Sequence, residues 1–362
     1  MEKVKQILVA SVLALTLTGL FVAHLLLPDQ ALSSSERRKL EQLPELTLED
    51  VFSGDYFTEL EDYLLDQFPL REQFRALKAQ FQYKVLGMQD NNDIYLADGH
   101  LMKLEYPFKP GQAKLAIDKI NAILAAHGEI ANAYYALIPD KNYFLAEENG
   151  YPAMDYAALV QQAEGINAEY IDIFPLLSAD DYYLTDSHWR QERIVPVAQA
   201  LAQAMGAQVD GPDAYRTESK DDFFGVYAGQ SALPLQGEEL TVLRSDVTDA
   251  AVVYSVEQNK NIPVYNWEDY LGMDPYDVYL SGAEAVLTME NPLAQNDREL
   301  VIFRDSFGSS IAPLLLSGYS KVTLVDIRYI SSTLLDDYVS FDGADVLFLY
   351  NTAIFNAGAT LK

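Results

Sequence analysis

Apolar positions are densest near the start of the chain, where a run extends from residue 7 to residue 27. At about 1.5 Å per residue, a helix of this length spans the roughly 30 Å hydrocarbon core of a bilayer. Lys3 and Lys5 precede the run and Pro28-Asp29 closes it, a charge order that places the rest of the chain outside the cytoplasm. We predict an uncleaved membrane anchor over residues 1–30, with the bulk of the chain outside a bacterial cell.

A cleaved signal peptide would show a similar pattern, although this apolar run is longer than usual and no clear small-x-small site follows it. Residues 31–54 are polar and include Pro44, so they are predicted to form a tether. From residue 55 apolar side chains recur at helical spacing, and Pro69 divides the stretch into two predicted helices. The recurring residues are Tyr56, Leu60, Tyr63 and Leu64, then Phe74, Leu77, Phe81 and Val85.

The remainder of the chain alternates apolar, strand-like runs with amphipathic helices. Strands are predicted over residues 93–99, 130–138, 170–174, 300–303, 322–327 and 346–350. Helices are predicted over residues 111–127, 156–165, 309–316 and 332–339, with another that ends at residue 206. Residues 212–298 lack helical periodicity and predict a β-rich insertion. Apolar runs separated by helices are typical of a parallel sheet sandwiched by helices, so we predict one α/β domain over residues 55–362.

Charge and composition narrow the function. The 362 residues include 25 Lys and Arg against 54 Asp and Glu, a formal net charge of −29. A nucleic-acid-binding protein needs a basic surface, so that class is excluded. The sequence has no cysteine, which removes disulfides and thiol nucleophiles and leaves oxygen or nitrogen as the nucleophile. Of four histidines, His24 is discounted as a base because it lies in the predicted anchor.

The first candidate site is the sequence Arg304-Asp305-Ser306-Phe307-Gly308, which links a predicted strand to a predicted helix. Parallel sheets bind ligands beyond the carboxyl ends of their strands. A serine at the start of a helix combines a nucleophilic hydroxyl with free backbone N–H groups that stabilise an oxyanion. The alternative is that Asp305 and Ser306 only cap the helix, as these residue types commonly do. Pro313 is tolerable in that helix only if it falls in the first turn.

The second candidate site is Thr185-Asp186-Ser187-His188-Trp189. Asp186 can accept a hydrogen bond from one ring nitrogen of His188, so that the other nitrogen can deprotonate a hydroxyl. An isolated Asp-x-His is more often a surface histidine beside an acid. Here an apolar strand and a polar loop precede the pair and a helix follows it, which favours a site. Trp189 is expected to pack the surroundings of the imidazole against the core.

Two further polar positions follow predicted strands. Asn351 comes directly after the last strand, where its amide can point to the same place as the Ser306 N–H or can merely terminate the strand. Lys141 follows Pro139-Asp140 at the end of another strand, where it either contacts substrate or, as we expect, is a solvated loop charge.

Metal binding is the competing explanation for a pair of Asp and His. Zinc sites need several His or Cys ligands, and His100 and His127 are each isolated beside a turn. Asp180-Asp181 lacks the glycine-punctuated spacing of a calcium loop. We therefore expect neither a metal nor a cofactor.

Five segments form a wider pattern. They are Phe68-Pro69-Leu70-Arg71, Asp186-Ser187-His188-Trp189, Arg304-Asp305-Ser306-Phe307-Gly308, Val325-Asp326-Ile327-Arg328-Tyr329 and Leu347-Phe348-Leu349-Tyr350-Asn351. Together they resemble the bacterial DHHW protein family, a relative of the SGNH-type acyl hydrolases that include the alginate O-acetylation proteins of the AlgX and AlgJ type. The resemblance covers roughly nine-tenths of the chain, as for one large domain with an insertion.

The resemblance implies an SGNH-like α/β fold in which the Asp and His precede the Ser, a permuted order relative to ordinary SGNH esterases. It gives Ser306 the role of nucleophile, His188 that of base and Asp186 that of the acid that orients the base. Asn351 falls where the oxyanion Asn of SGNH enzymes ends its strand.

The sequence departs from the family pattern at three places. Ser187 stands where the motif that names the DHHW family has His, although the alginate proteins also have a hydroxyl residue there. Arg304 stands where SGNH enzymes usually have Gly, so a large cation can narrow the pocket or bind an acidic group. No residue matches the second oxyanion Gly, because residues 326–328 occupy that strand end.

The leading hypothesis is therefore a membrane-anchored extracellular enzyme that moves or removes an O-acyl group, such as acetyl, on a cell-surface glycan. The alternative is a non-catalytic glycan-binding or assembly protein on a degenerate SGNH scaffold, with some of the 24 tyrosines stacking on sugars. A glycosidase with paired carboxylates has no motif in its favour.

The expected partners are the membrane and the glycan, and the sequence leaves open a multi-spanning protein that delivers acetyl groups. So acidic a surface repels anionic glycans unless the pocket is locally basic, and Arg304 and Arg328 are the cations at the predicted strand ends.

Overall fold

The computed structural model describes residues 2–33 and 35–362. These residues form two compact units. The first contains the chain up to residue 91 together with residues 232–234, and the second contains residues 92–231 and 235–362. The boundaries of the anchor, the tether and the α/β domain proposed from the sequence stay predictions.

The first unit begins with a long apolar helix, α1 (Glu2–Leu26), none of whose described residues is buried. Within the described residues it is the one helix long and apolar enough to cross a membrane, which is consistent with a membrane anchor or a signal sequence. Short strands β1 (Leu32–Ser33) and β2 (Arg38–Lys39) pair antiparallel. The unit continues with α2 (Leu48–Ser53), α3 (Asp55–Asp66), α4 (Arg71–Lys84) and β3 (Asp90–Asn91). Pro69 separates α3 from α4, as the sequence predicts.

The second unit is built on an eight-stranded sheet. Its strands are β6 (Asn132–Ile138), β7 (Glu169–Tyr170), β10 (Val252–Ser255), β11 (Lys260–Ile262), β12 (Val286–Glu290), β13 (Glu299–Arg304), β14 (Lys321–Val325) and β15 (Asp345–Asn351), in the order β11-β10-β12-β14-β13-β15-β6-β7. The five strands from β14 to β7 are parallel, and the three others extend the sheet by antiparallel pairing. Two hairpins lie outside it, β4 (Ile94–Ala97) with β5 (His100–Lys103) and β8 (Arg216–Phe223) with β9 (Glu238–Arg244).

Helices cover both faces of this sheet. The helices are α5 (Pro110–Ala126), α6 (Asn142–Leu145), α7 (Tyr156–Ala163), α8 (Val195–Ala204), α9 (Val226–Ser231), α10 (Asp246–Ala250), α11 (Phe307–Leu315) and α12 (Thr352–Phe355). Alternate strand residues enter two separate cores, since Ile302 packs with α8 and α11 while Val301 and Phe303 pack with α5 and α7. The predicted α/β fold, with a largely parallel sheet between layers of helices, is confirmed.

Two predicted elements and the position of one proline differ in the structure. The strand predicted over residues 170–174 ends at Tyr170, and Pro175 lies in a 3₁₀ turn, Phe174–Leu176, that follows it. The helix predicted over residues 332–339 is a 3₁₀ segment, Ser332–Asp337, for which the sequence offers no evident cause. Pro313 lies inside α11 and not in its first turn, so the condition that the sequence set for this proline is not met. All nine residues of α11 are buried, and this packing offsets the hydrogen bond that proline removes.

Candidate active site

A buried carboxylate shapes the turn that carries Ser306. Ser306 stands between the end of β13 and the first residue of α11. The Asp305 side chain accepts hydrogen bonds from the backbone N–H of Phe307 at 3.0 Å and of Asn351 at 2.7 Å. The bond from Asn351 joins the carboxyl ends of β13 and β15, which are neighbours in the sheet. Burial raises the pKa of Asp305, and the two N–H donors act against that rise.

The structure brings Ser306, His188 and Asp186 into one chain of hydrogen bonds. The Oγ atom of Ser306 lies 2.6 Å from Nε2 of His188, and Nδ1 of the same ring lies 2.5 Å from Oδ1 of Asp186. When Nδ1 carries the proton, it donates to the carboxylate of Asp186. Nε2 is then free to accept a hydrogen bond from the Ser306 hydroxyl. Both His188 and Asp186 are buried. The arrangement can move a proton from the hydroxyl to the imidazole.

The rings of Tyr276 and Phe307 pack against the imidazole. The ring of Tyr276 stacks on that of His188 with the centroids 3.8 Å apart and an angle of 8° between the planes. The Tyr276 hydroxyl and the indole N–H of Trp189 each lie 2.8 Å from Oγ of Ser310 on α11. Trp189 is fully buried, as expected, and it also packs edge-on against Phe307. The rotation of the imidazole is therefore restricted by packing as well as by its hydrogen bonds.

Opposite charges clamp the loop that leads to Asp186. Lys141 donates from Nζ to the carbonyl oxygens of Tyr183 at 2.8 Å and Leu184 at 3.3 Å. The carboxylate of Glu238, on β9, accepts from the N–H groups of Leu184 and Thr185, both at 2.7 Å. The loop is thus fixed through its carbonyls on one side and its N–H groups on the other.

The environment of Lys141 corrects the expectation of a solvated loop charge, which was wrong. The side chain is only 2% exposed and lines the same cavity as Ser306. Burial lowers the pKa of its ammonium to about 7, while the nearby carboxylates of Asp186 and Glu238 act in the opposite direction.

A close backbone approach completes the support of Asp186. The N–H of Val226 donates to Oδ2 of Asp186 at 2.8 Å. A Cβ atom at the preceding residue, Gly225, would lie 2.4 Å from Cβ of Asp186 and from the Thr185 carbonyl. Only glycine fits at this position without a shift of the loop.

The other residues singled out in the sequence take three different places. Asn351 lines the cavity, but its amide donates to the Ile138 carbonyl at 3.1 Å and its oxygen accepts from the Ala353 N–H at 2.9 Å, so it caps α12. Arg328 also lines the cavity and donates from Nε and Nη2 to the two oxygens of Asp326, at 2.9 and 2.6 Å.

Arg304 does not line this cavity. Its side chain is 1% exposed, with Nη2 3.4 Å from the carbonyl oxygens of Gly282 and Glu284. Burial lowers its pKa, and a carboxylate, Asp326, lies 3.9 Å away. The role of Arg304 in binding an acidic substrate group stays a prediction.

The cavity beside Ser306 has a volume of about 250 Å³. Cationic, acidic and aromatic side chains all contribute to its lining, among them Lys103, Glu105 and Tyr227. The pKa of Glu105 is raised, first by burial and then by the charge of Asp140. The volume is close to the lower limit of small-molecule sites, which suits one small group rather than a whole oligosaccharide.

Sequence reasoning missed three supporting residues. Tyr276, Glu238 and Gly225 come from the predicted insertion, in which no motif pointed to the site. For Lys141 a signal existed, because it follows the carboxyl end of the parallel strand β6, and parallel sheets place their ligands at such ends.

Comparison with other proteins relates the chain to solved structures. No protein-family model and no curated protein matches the sequence. A DHHW family protein from Eubacterium siraeum superposes with a TM-score of 0.62 at 20% identity, covering 75% of this chain and 94% of that one. PatB1 of Bacillus cereus superposes with a TM-score of 0.60 at 17% identity, covering 74% and 98%.

A second PatB1 structure, which carries a sulfonyl adduct, has a TM-score of 0.55 at 18% identity, with 72% and 97% covered. Likeness at these identities concerns the fold. The resemblance in fold expected from the sequence motifs is thus confirmed, and the chain has the fold of the DHHW family protein and of PatB1.

Proposed function

We propose that the protein is a membrane-anchored extracellular serine acyltransferase or esterase that acts on O-acyl groups, such as acetyl, of a cell-surface glycan. The observation that carries this proposal is the hydrogen-bonded chain from Ser306 through His188 to Asp186 at the edge of a small cavity. Such a chain activates a hydroxyl for attack on an acyl carbonyl.

In the first step His188 takes the proton of Ser306 while Oγ attacks the acyl carbonyl. The ester bond to the donor alcohol breaks, and the imidazolium returns the proton to the departing oxygen. Asp186 stabilises the imidazolium through Nδ1, and the face of Tyr276 does so by a cation–π interaction. In the second step water or a glycan hydroxyl gives its proton to His188 and attacks the acyl-enzyme. The bond between the acyl carbon and Oγ then breaks, and the imidazolium returns the proton to Oγ of Ser306.

The oxyanion is proposed to be held at the start of α11. The Ser306 N–H lies at the N-terminus of this helix, where the helix dipole favours negative charge. The amide of Asn351 has a second hydrogen beyond the one donated to Ile138, and Arg328, which follows the neighbouring strand β14, is a cation that lines the cavity. These groups replace the glycine that the sequence lacks.

The size of the cavity supports the choice of substrate, and a protein of the same fold supports the choice of an activated nucleophile. A cavity of about 250 Å³ admits an acetyl group with part of one sugar ring and leaves the rest of a glycan outside. PatB1 has been captured with a sulfonyl adduct, and sulfonyl reagents react with activated nucleophiles.

Replacing the nucleophile tests the proposal. Ser306→Ala should lower the rate of aryl acetate hydrolysis about a thousandfold or more and abolish labelling by a fluorophosphonate. Ser309→Ala is the matched control, because Ser309 lies on the same helix, is buried and has an unpartnered hydroxyl among the described residues. Equal rates in wild type and Ser306→Ala would exclude Ser306 as the nucleophile.

One observation favours a second candidate, a non-catalytic glycan-binding protein. The Asn351 side chain is already engaged by Ile138 and Ala353, which leaves fewer donors for an oxyanion. Binding of an acetylated oligosaccharide without turnover, unchanged by Ser306→Ala, would support this candidate. The multi-spanning partner that delivers acetyl groups stays a prediction.

A further inference from the structure

The large apolar residues of helix α4 face outward and are exposed to solvent. Leu70, just before the helix, and Phe74, Leu77, Phe81 and Val85 recur at intervals of three or four residues, so they share one face. We call these five residues the α4 stripe. All are exposed, including Leu77 at 62% and Val85 at 65%.

The side of α4 that packs against the rest of the unit buries a small apolar residue and not a large one. Its one buried residue, Ala79, is completely enclosed and lies opposite the stripe. Helices of soluble proteins bury the large apolar residues and expose the polar ones. The stripe is about 20 Å long, and it continues through an edge-on contact between Phe74 and Phe68, which lies between α3 and α4. An apolar face of this size requires a cover.

The end of α1 and the end of α3 are joined within the same unit. Gln67, the residue after α3, accepts from the Gln30 N–H at 2.9 Å through its side-chain oxygen and donates to the Gln30 carbonyl at 2.9 Å. Its own carbonyl lies 3.2 Å from Nδ1 of His24, in the last turn of α1. The Tyr63 ring packs edge-on against that of His24. Since Leu70 follows Gln67 by three residues, the stripe begins where the apolar α1 ends.

The charge of α4 differs from that of the chain as a whole. The helix has four cationic residues, Arg71, Arg75, Lys78 and Lys84, and one acidic residue, Glu72, in a chain with a net charge of −29. Arg71 and Arg75 form ion pairs with Glu36 and Glu72. Lys78 and Lys84 are exposed beside the stripe. A helix with Phe and Leu on one face and Lys beside it is typical of binding at the surface of an anionic bilayer.

We propose that α4 lies in the interface of the bilayer that α1 crosses, with the α4 stripe among the acyl chains and Lys78 and Lys84 at anionic headgroups. The proposal rests on the membrane anchoring in the proposed function and not on its chemistry. A second copy of the chain or another protein would also cover the stripe. The bilayer is favoured because α1 already brings it to the start of the stripe, and because the lysines complement anionic lipid.

The absence of cysteine makes a direct test feasible in the full chain. Leu77→Cys and, separately, Phe81→Cys are labelled with an environment-sensitive fluorophore and reconstituted into phosphatidylcholine–phosphatidylglycerol vesicles. Quenching is then measured with a nitroxide-labelled lipid and with aqueous iodide. Leu115→Cys is the matched control, since Leu115 is a leucine on helix α5 with 48% of its surface exposed.

We expect several-fold stronger lipid quenching at positions 77 and 81 than at position 115, and the reverse order with iodide. Iodide quenching at positions 77 and 81 would show a stripe open to water and overturn the proposal. Protection from both quenchers would show that protein covers the stripe and would overturn it equally. Flotation of the unlabelled protein with vesicles tests the anchor separately, and a protein that does not float removes the basis of the proposal.

Discussion

The imidazole of His188 is fixed by a hydrogen bond at each nitrogen and by an aromatic ring on its face. A general base needs both the right tautomer and the right orientation. Tyr276 provides the orientation from outside the hydrogen-bonded chain, and its hydroxyl is held by Ser310. It is therefore a positioning residue for the proposed reaction.

Two substitutions at Tyr276 should distinguish the contribution of its ring to kcat from that of its hydroxyl. Tyr276→Phe retains the stacking and should lower kcat less than tenfold, whereas Tyr276→Leu should lower kcat about 10- to 100-fold because the imidazolium loses its cation–π partner. Steady-state kinetics with an aryl acetate give kcat for each variant. Equal losses in the two variants would assign the effect to the hydroxyl.

Lys141 should make stability depend on pH. Its pKa falls from 10.5 to about 7 on folding, so between these values the unfolded chain binds more protons than the folded one. Stability contributed by this group therefore rises with pH across that window and is lowest below pH 7. Asp186, Glu238 and Asp140 oppose the fall in pKa, and burial outweighs them.

Urea unfolding at several pH values checks this. From pH 7 to pH 10 the wild type should gain free energy of unfolding relative to Lys141→Met, which lacks the titrating group. Lys114→Met is the control, because the Lys114 side chain is 67% exposed and pairs with Asp118 on the surface of α5. Parallel pH curves for wild type and Lys141→Met would contradict the expectation.

At the scale of elements, a backbone hydrogen bond from Tyr183 to His188 closes the loop over residues 183–188, and its neighbours hold the part that carries Asp186. Lys141 after β6, Glu238 on β9 and the start of α9 all hold it. Gly225 precedes α9 and has no Cβ atom, so the start of α9 can lie directly against Thr185 and Asp186. The loop has little regular structure that could maintain the position of Asp186 without these supports.

Gly225→Ala should therefore reduce both stability and activity. The new Cβ would meet backbone atoms of Thr185, which cannot move aside as a flexible side chain can. We expect a loss of about 2 kcal/mol or more in unfolding free energy, with a larger relative loss of esterase rate. Gly128→Ala, where nothing lies within 4 Å of the new Cβ, should change neither and serves as the control.

At the scale of the whole molecule, the charge of −29 should act on encounter with substrate. Raising the ionic strength from about 10 mM to 150 mM shortens the screening length from roughly 30 Å to 8 Å. The kcat/KM of an anionic aryl ester, such as a hemisuccinate, should then rise several-fold, while that of neutral aryl acetate should stay constant. A fall for the anionic ester would show that the cations around the cavity dominate instead.

Much of the architecture can be predicted from apolar runs in the sequence, because a strand that is buried on both faces is apolar along nearly its whole length. The same runs located Ser306 and Asn351 at strand ends, and the Asp-x-His motif located Asp186 and His188. Tyr276 and Glu238 could not be predicted, since they reach the site through tertiary packing of a segment without a motif. The spacing of apolar residues in α4 is also evident in the sequence, but this spacing does not show whether the apolar face packs inward or faces outward.

The position of β15 has a consequence for how the protein folds. This strand lies between β13 and β6, and Asn132 on β6 aligns with Asp345, 213 residues further along the chain. The parallel core of the sheet is therefore incomplete until residues 345–351 are present, and pairing over such a separation is slow. Under the proposed topology, the chain would cross the membrane in an unfolded, translocation-competent state and close its sheet only after β15 has emerged outside.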